Sequence, residues 1–457
     1  MPHAAKARPR LNSVAVPIVG EFLLGMTVAM GGLWLASHTS DAAAGSFGLS
    51  IQVSEALYVL FRVIAIGVGV VTTQALGGRQ PEVARRTALV GLGASTWAGL
   101  LAAACVLFGN DLILDVLNAP DEILPIASPY LQLLAPALVL EAYNLTMAAI
   151  LRAHLHARES LLLMVAMHST HLLLAIPLML GVGSWDGLGL PGYAAALLVS
   201  RALGLVLHLW LWRRLMSLGP QAHDWWRLPM DALLPVLRIG TPGAAFEMVY
   251  RIAFLVSLAT AAKLGVAALA THSYTLQLLK YVLIVSMSIG WAIEIMVGRL
   301  VGSGDLRAAH LLVRKGVRNG LLASGSLAIV AALAAPWLLR AFTRDPAIIH
   351  AAQILLWIGF ALETGRVFNL IINGALRATG DAILPVVANM VSVALVLGVG
   401  SYVLGRRYGL PGIFAAYAAD EWVRGLIMAA RWFGHGWVRS AMATRRRVLR
   451  QRLATTG

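Results

Sequence analysis

Residues 361–381 read "ALETGRVFNLIINGALRATGD", an apolar run broken by Glu363, Arg366, Asn369 and Asn373. Helical spacing brings these four to roughly one side of a helix. A carboxylate there can take up a proton or hold a cation. A guanidinium can neutralise that carboxylate or hold an anion, and amide oxygens add uncharged ligands. Two other sets have similar chemistry. Glu247 and Arg251 stand four residues apart in a second apolar run, and Glu141 precedes Asn144 in a third with no basic residue within a turn. Each set has a plainer reading, an ion pair that only lets the helix enter a bilayer.

The elements that carry them are membrane spans. The chain has 457 residues, of which 59% are hydrophobic and 12% charged, with mean hydropathy +0.77. Soluble domains carry roughly 25% charge. The apolar segments run to ~20 residues, which suits helices and not the shorter alternating strands of a barrel. Twelve spans are expected, near 14–36, 50–76, 88–109, 127–151, 160–182, 190–212, 236–260, 266–298, 317–340, 350–376, 382–404 and 410–432. The class is an all-α membrane protein in the lipid bilayer.

The net charge of +15 does not point to nucleic acid, because the arginines gather at span ends and in the tail "TRRRVLRQR". Such flanks orient spans and attract anionic head groups. One side of the alternation holds Lys6, Arg8, Arg10, Arg85, Arg152, Arg213, Arg318, Arg377 and the tail; the other holds Lys263, Arg340, Arg344, Arg406 and Arg407. Both termini are therefore expected in the cytoplasm. Cys105 is the sole cysteine and reads as an inert core thiol. His168 and His171 have metal-pair spacing but no carboxylate near them in sequence, so filling of a helix face is the simpler account. No nucleotide-binding motif is visible, which leaves ion coupling as the energy source.

The chain repeats itself. A single interval separates Pro17 from Pro242, Gly77 from Gly302, Asn144 from Asn369, and the "LR" at 151–152 from the "LR" at 376–377. "GLPG" recurs at 189–192 and 409–412, a slightly shorter interval. Six spans per copy keep both copies in one orientation, an arrangement of secondary transporters. The expected division is a cytoplasmic arm (1–13), an N-terminal lobe (14–215), a linker (216–235), a C-terminal lobe (236–434) and a basic cytoplasmic tail (435–457).

Four stretches sharpen this. "VGVVTTQALGGRQPEVARR" (68–86), "GTPGAAFEMVYRIAFLVSLATAAKLGVAALATHSYTLQLL" (240–279), "SIGWAIEIMVGRLVGSGD" (288–305) and "FNLIINGALRATGDAILPVV" (368–387) resemble the multidrug and toxic compound extrusion (MATE) family of secondary transporters. The resemblance runs from Pro17 to the last span. It implies two pseudo-symmetric six-helix lobes around a cleft and export of small amphipathic, cationic drugs against H+ or Na+, with no cofactor and no enzymatic step. It also implies a monomer in a prokaryotic cytoplasmic membrane.

The family's acids do not all map onto this chain. Where many members have an Asp in the first span, Gly31 or Gly32 stands. A Glu eight residues after the proline of the seventh span falls on Tyr250, and an Asp in the tenth falls on Arg366. Glu247 and Glu363 each lie three residues earlier. The expected coupling and substrate cleft is therefore Glu363, Arg366, Asn369, Asn373, Glu247, Tyr250, Arg251, Glu141 and Asn144, with Na+ at Glu247 or Glu363 if sodium is the ion. A lipid or lipid-linked sugar flippase is the alternative within the superfamily. A non-transporting scaffold or an intramembrane enzyme is the alternative outside it.

Overall fold

The computed structural model describes residues 10–117, 119–341 and 343–456. Lys6 and Arg8 of the basic arm lie outside the described residues. Fourteen α-helices follow in order among those described. They are α1 (Leu11–Thr39), α2 (Asp41–Gly77), α3 (Pro81–Phe108), the short α4 (Asn110–Val116), α5 (Leu124–Ala153), α6 (Ala157–Leu180) and α7 (Leu190–Met216). Then come α8 (Met230–Lys263), α9 (Val266–Ser303), α10 (Leu306–Leu338), α11 (Pro346–Thr379), α12 (Ile383–Ser392), α13 (Gly400–Phe433) and the tail helix α14 (Val438–Thr456).

Eleven helical segments among the described residues are long and apolar enough to cross a membrane. The last, Ile383–Phe433, is 51 residues long and holds two spans. Its second part, α13, turns at Gly409, whose φ of 66° and ψ of −147° are not helical. That positive φ suits glycine, which has no Cβ to clash. Gly189 opens α7 with a similar φ of 62° and ψ of −137°, so both "GLPG" copies turn the chain in the same way. Twelve spans result, as the hydropathy pattern predicts. Between α12 and α13 the helix is wound as a π-segment, Val393–Val399.

Span ends are built from local chemistry. Asp305 caps α10 by accepting from the Ala308 N–H at 3.0 Å, and Asp345 caps α11 by accepting from Ala347 at 2.8 Å. Pro346 follows in the first turn of α11, where its missing N–H costs no hydrogen bond. Gly304 and Gly380 close α9 and α11 in the left-handed conformation.

The chain forms two compact units. One comprises residues 20–72 and 81–240, and the other takes 73–80 and 241–457 together with the first residues of α1. The first is cored by side chains such as Phe61, Leu131, Met147, Ile150 and Trp212. Its stretch 216–235 is anchored at Trp225: Thr96 Oγ1 donates to the Trp225 carbonyl at 2.5 Å, and the Trp225 ring meets Tyr143 edge-on at 5.0 Å. The second unit is cored by Leu355, Leu356, Leu362, Leu397 and Phe414.

Within this second unit, α2 and α9 cross at bare backbone. A Cβ on Gly77 would lie 2.0 Å from the Arg299 carbonyl oxygen, and one on Gly302 would lie 2.0 Å from that of Gln74. Both repeat-related glycines are thus required by close approach. Cys105 departs from expectation. It is exposed on α3, because the buried stripe there runs through Ala102, Ala103 and Val106.

Candidate functional site

A chain of five buried charges joins α11 to α13. Arg366 Nη1 donates to Glu363 Oε1, and Arg366 Nε donates to Glu421 Oε1 at 3.2 Å. Glu421 then accepts from Asn369 Nδ2 at 2.8 Å and pairs with Arg424 at 2.9 Å. Arg424 also donates to Asp420 Oδ2 at 2.5 Å, and Asp420 Oδ1 accepts from Ser392 Oγ at 2.7 Å. All seven side chains are buried, Glu363 completely. Ser392 is the residue immediately before the π-segment.

α8 supplies the apolar cover. The Phe246 ring lies 5.8 Å from the Arg424 guanidinium, and Tyr250 lies within electrostatic reach of Arg366, Glu421, Arg424 and Asp420. Asn373 is buried one turn beyond Asn369, but its amide oxygen has no hydrogen-bond partner. Glu247 and Arg251 form a local pair at 3.2 Å on α8, each about a third exposed. They are not among the five linked charges.

The count of charges decides the chemistry. Three carboxylates face two guanidiniums. With every group ionised the cluster carries one surplus negative charge, and a buried net charge is costly unless compensated. Glu363 Oε2 and Asn369 Oδ1 are buried without a hydrogen-bond partner. One proton or one monovalent cation would balance the set. Among the described residues, no group of three or more His, Cys, Asp or Glu is placed to hold a metal ion.

The other unit holds a simpler site. Glu141 Oε2 lies 2.5 Å from Arg201 Nε across α5 and α7. Asn144 Nδ2 donates to the Arg201 carbonyl at 3.0 Å, and its oxygen lies 3.1 Å from His208 Nδ1. His168 and His171 are buried within electrostatic reach of Arg201, and His171 meets the Tyr193 ring edge-on at 4.6 Å. At Gly32 a Cβ would fall 2.6 Å from both the Phe47 ring and the Tyr193 hydroxyl. A side chain at Gly32 would displace them, whereas a Cβ at Gly31 would make only ordinary contact with Leu172 at 3.6 Å.

The structure therefore brings Glu363, Arg366 and Asn369 together, with Tyr250 near them. It brings Glu141 and Asn144 together through Arg201, and leaves Glu247 with Arg251. The residues expected in the cleft did not include Glu421, Arg424 or Asp420. The repeat held the missing signal. Arg366 follows Glu141 by the interval that separates Asn144 from Asn369. Glu421 follows Arg201 by the shorter interval that separates the two "GLPG" copies. The pair Glu141–Arg201 thus recurs as Arg366–Glu421 with its charges exchanged. Arg62 lies 3.5 Å from Glu55, Glu21 lies 2.8 Å from Arg152, and Glu294 lies 2.7 Å from Arg377, while Lys280 is on an exposed face.

The MatE family model matches residues 17–178 and 242–403. The chain belongs to the MatE family. The two matches begin at Pro17 and Pro242, the prolines that open the internal repeat. The chain is 28% identical over 438 residues to an uncharacterized transporter, YisQ, of Bacillus subtilis, covering 95% of this chain and 96% of that one. It is 24% identical over 447 residues to the probable multidrug resistance protein NorM of Thermotoga maritima, covering 96% and 95%. The crystal structure of the Vibrio cholerae MATE transporter VcmN in its bent form superposes with a TM-score of 0.83 at 16% identity, covering 95% of this chain and 97% of that one. The chain is thus a multi-pass membrane transporter of the MATE family and not an enzyme. MATE transporters need no cofactor and draw on ion coupling.

Proposed function

We propose that this MATE transporter exports small amphipathic, cationic compounds from the cytoplasm in exchange for protons or sodium ions, by alternating access. The surplus carboxylate in the α11–α13 network is the observation that carries this reading. A proton or sodium ion bound among Glu363, Asn369 and Glu421 would neutralise the surplus and loosen the grip of Arg366. A ligand shifts a conformational equilibrium only by its differential affinity for the two states, and rearranged pairing supplies such a difference. Glu247 with Arg251, and Glu141 with Arg201 and Asn144, would act as secondary polar steps on the same route. The protein works as a monomer with both termini in the cytoplasm of a prokaryotic cell.

A flippase for anionic lipids or lipid-linked sugars would be served by a cationic interior. Arg62, Arg201 and Arg251 each lie beside a carboxylate, which favours the cation-coupled reading over a cationic interior.

Purified protein in sealed vesicles, energised by a proton or a sodium gradient separately, tests the assignment. Glu363→Gln should abolish gradient-driven efflux while the protein stays folded in the membrane. Undiminished transport by that variant would sink the coupling assignment. Loss of efflux under one gradient and not the other identifies the ion.

A further inference from the structure

The tail helix α14 takes no part in that scheme, and its sequence is unusual for a segment that packs on a bundle. Arg439, Arg445, Arg446, Arg447, Arg450 and Arg452 occupy it with no acidic residue among them. A narrow stripe docks it. Trp437, Ala441, Thr444 and Val448 are buried at alternating spacings of four and three, one face of a helix. Trp437 stacks on Trp432 at 4.3 Å, and Thr444 Oγ1 donates to the Thr379 carbonyl at 2.9 Å. Gln80 donates to the Val448 carbonyl, and Arg447 donates to Gln74 Oε1 at 2.9 Å.

These partners fix the level at which α14 lies. Thr379 is the last residue of α11, Gln74 is in the last turn of α2, and the Arg445 guanidinium covers Gly304 at the end of α9. α14 therefore runs across the ends of three spans, where hydrocarbon gives way to head groups. Helix C-termini carry partial negative charge and favour nearby arginines, which accounts for the inner ones.

The outer arginines have no such account. Arg439, Arg446 and Arg450 are exposed. At 3.6 residues per turn they fall within about 40° of one another, on the side opposite the docked stripe. Met442 and Leu449 are exposed beside them, at 44% and 43%. A row of guanidiniums flanked by two apolar side chains, held at the ends of membrane spans, matches a phosphate above acyl carbons. Guanidinium presents paired N–H donors to phosphate oxygens.

We propose that α14 is an interfacial helix that binds anionic phospholipid head groups through Arg439, Arg446 and Arg450, with Met442 and Leu449 among the uppermost acyl carbons. Each basic group near an anionic surface strengthens attachment about fivefold. Fluorescently labelled phosphatidylglycerol and phosphatidylcholine, titrated separately into the purified full-length protein in neutral detergent, give the two affinities. The wild type should prefer phosphatidylglycerol, and added salt should erode that preference. The triple variant R439Q/R446Q/R450Q should lose about a hundredfold in phosphatidylglycerol affinity and keep its phosphatidylcholine affinity. The triple lysine variant should retain most of the preference.

An unchanged preference in the glutamine variant overturns the proposal. So does inorganic phosphate that displaces the lipid as well as phosphatidylglycerol itself, which would mark a free-anion site. If the glutamine variant fails to fold, a wild-type preference indifferent to salt overturns the proposal by itself.

Discussion

In the first half of the chain the acid of the buried pair, Glu141, is on α5 and its base, Arg201, is on α7. In the second half the base, Arg366, is on α11 and the acid, Glu421, is on α13. Each helix pair is tied by one ion pair at the same place in its repeat, and the pair is neutral whichever way it runs. The asparagines keep to the pattern too: Asn144 donates to residue 201 and Asn369 to residue 421. The halves diverge in what surrounds the pair. The positions of Glu363, Asp420 and Arg424 in the second half are held by Leu138, Ser200 and Gly204 in the first. A Cβ on Gly204 would meet Met167 Sδ at 2.7 Å, so that position has no room for a charge. The shared pair is architecture common to both copies. The three added charges turn one copy of it into a site with an unbalanced carboxylate.

Removing each arginine in turn separates the two halves most strongly. Arg366→Ala leaves two buried carboxylates facing each other and should cost about 3–5 kcal/mol, whereas Arg201→Ala strands one and should cost less. Thermal melts of the two variants in detergent measure the gap, and equal losses would mean that the network is no more than two separate pairs. Gly302→Ala probes the backbone crossing and should destabilise by about 1–3 kcal/mol, since the intruded atom is a carbonyl oxygen that cannot rotate away. Exchanging charges sharpens the contrast further. Glu141→Arg with Arg201→Glu should change stability by about 1 kcal/mol or less, because nothing else charged is bonded to that pair. The same exchange at Arg366 and Glu421 would set an arginine against Arg424 and a glutamate against Glu363, and should be markedly worse. Glu247→Gln should move the melt least, by about 0.5 kcal/mol or less, as expected of a partly exposed pair four residues apart on one helix.

Spans, repeat and class were legible because they rest on composition and period. Twelve apolar segments survive any detail of packing, and a constant interval between matching residues can be read without coordinates. The network was legible only in part. Glu363, Arg366 and Asn369 share one helix, so their spacing betrayed them. The partner of Arg366 and Asn369, Glu421, comes from α13, two helices further along the chain, and nothing local to it says that it reaches across as well as pairing along its own helix with Arg424. Asp420 stands four residues before Arg424, a spacing visible in the sequence, whereas its bond to Ser392 is not. Cys105 shows the limit of reading burial from an apolar run. In a bilayer an exposed face is as apolar as a buried one, so the pattern that separates them in a soluble protein is erased.

The crossing of α2 and α9 has a further consequence. Gly77 rests on residue 299 and Gly302 rests on residue 74. Residues 77 and 302 are repeat mates, and so are 74 and 299. Contact of i with j′ answered by j with i′ is the signature of an isologous interface, the kind two identical subunits form about a twofold axis. A single glycine in one six-span polypeptide would serve both sides of such a homodimer. In the fused chain that economy is gone: each glycine must now be kept separately, and a change at either one spoils only half of a contact that a homodimer would lose twice.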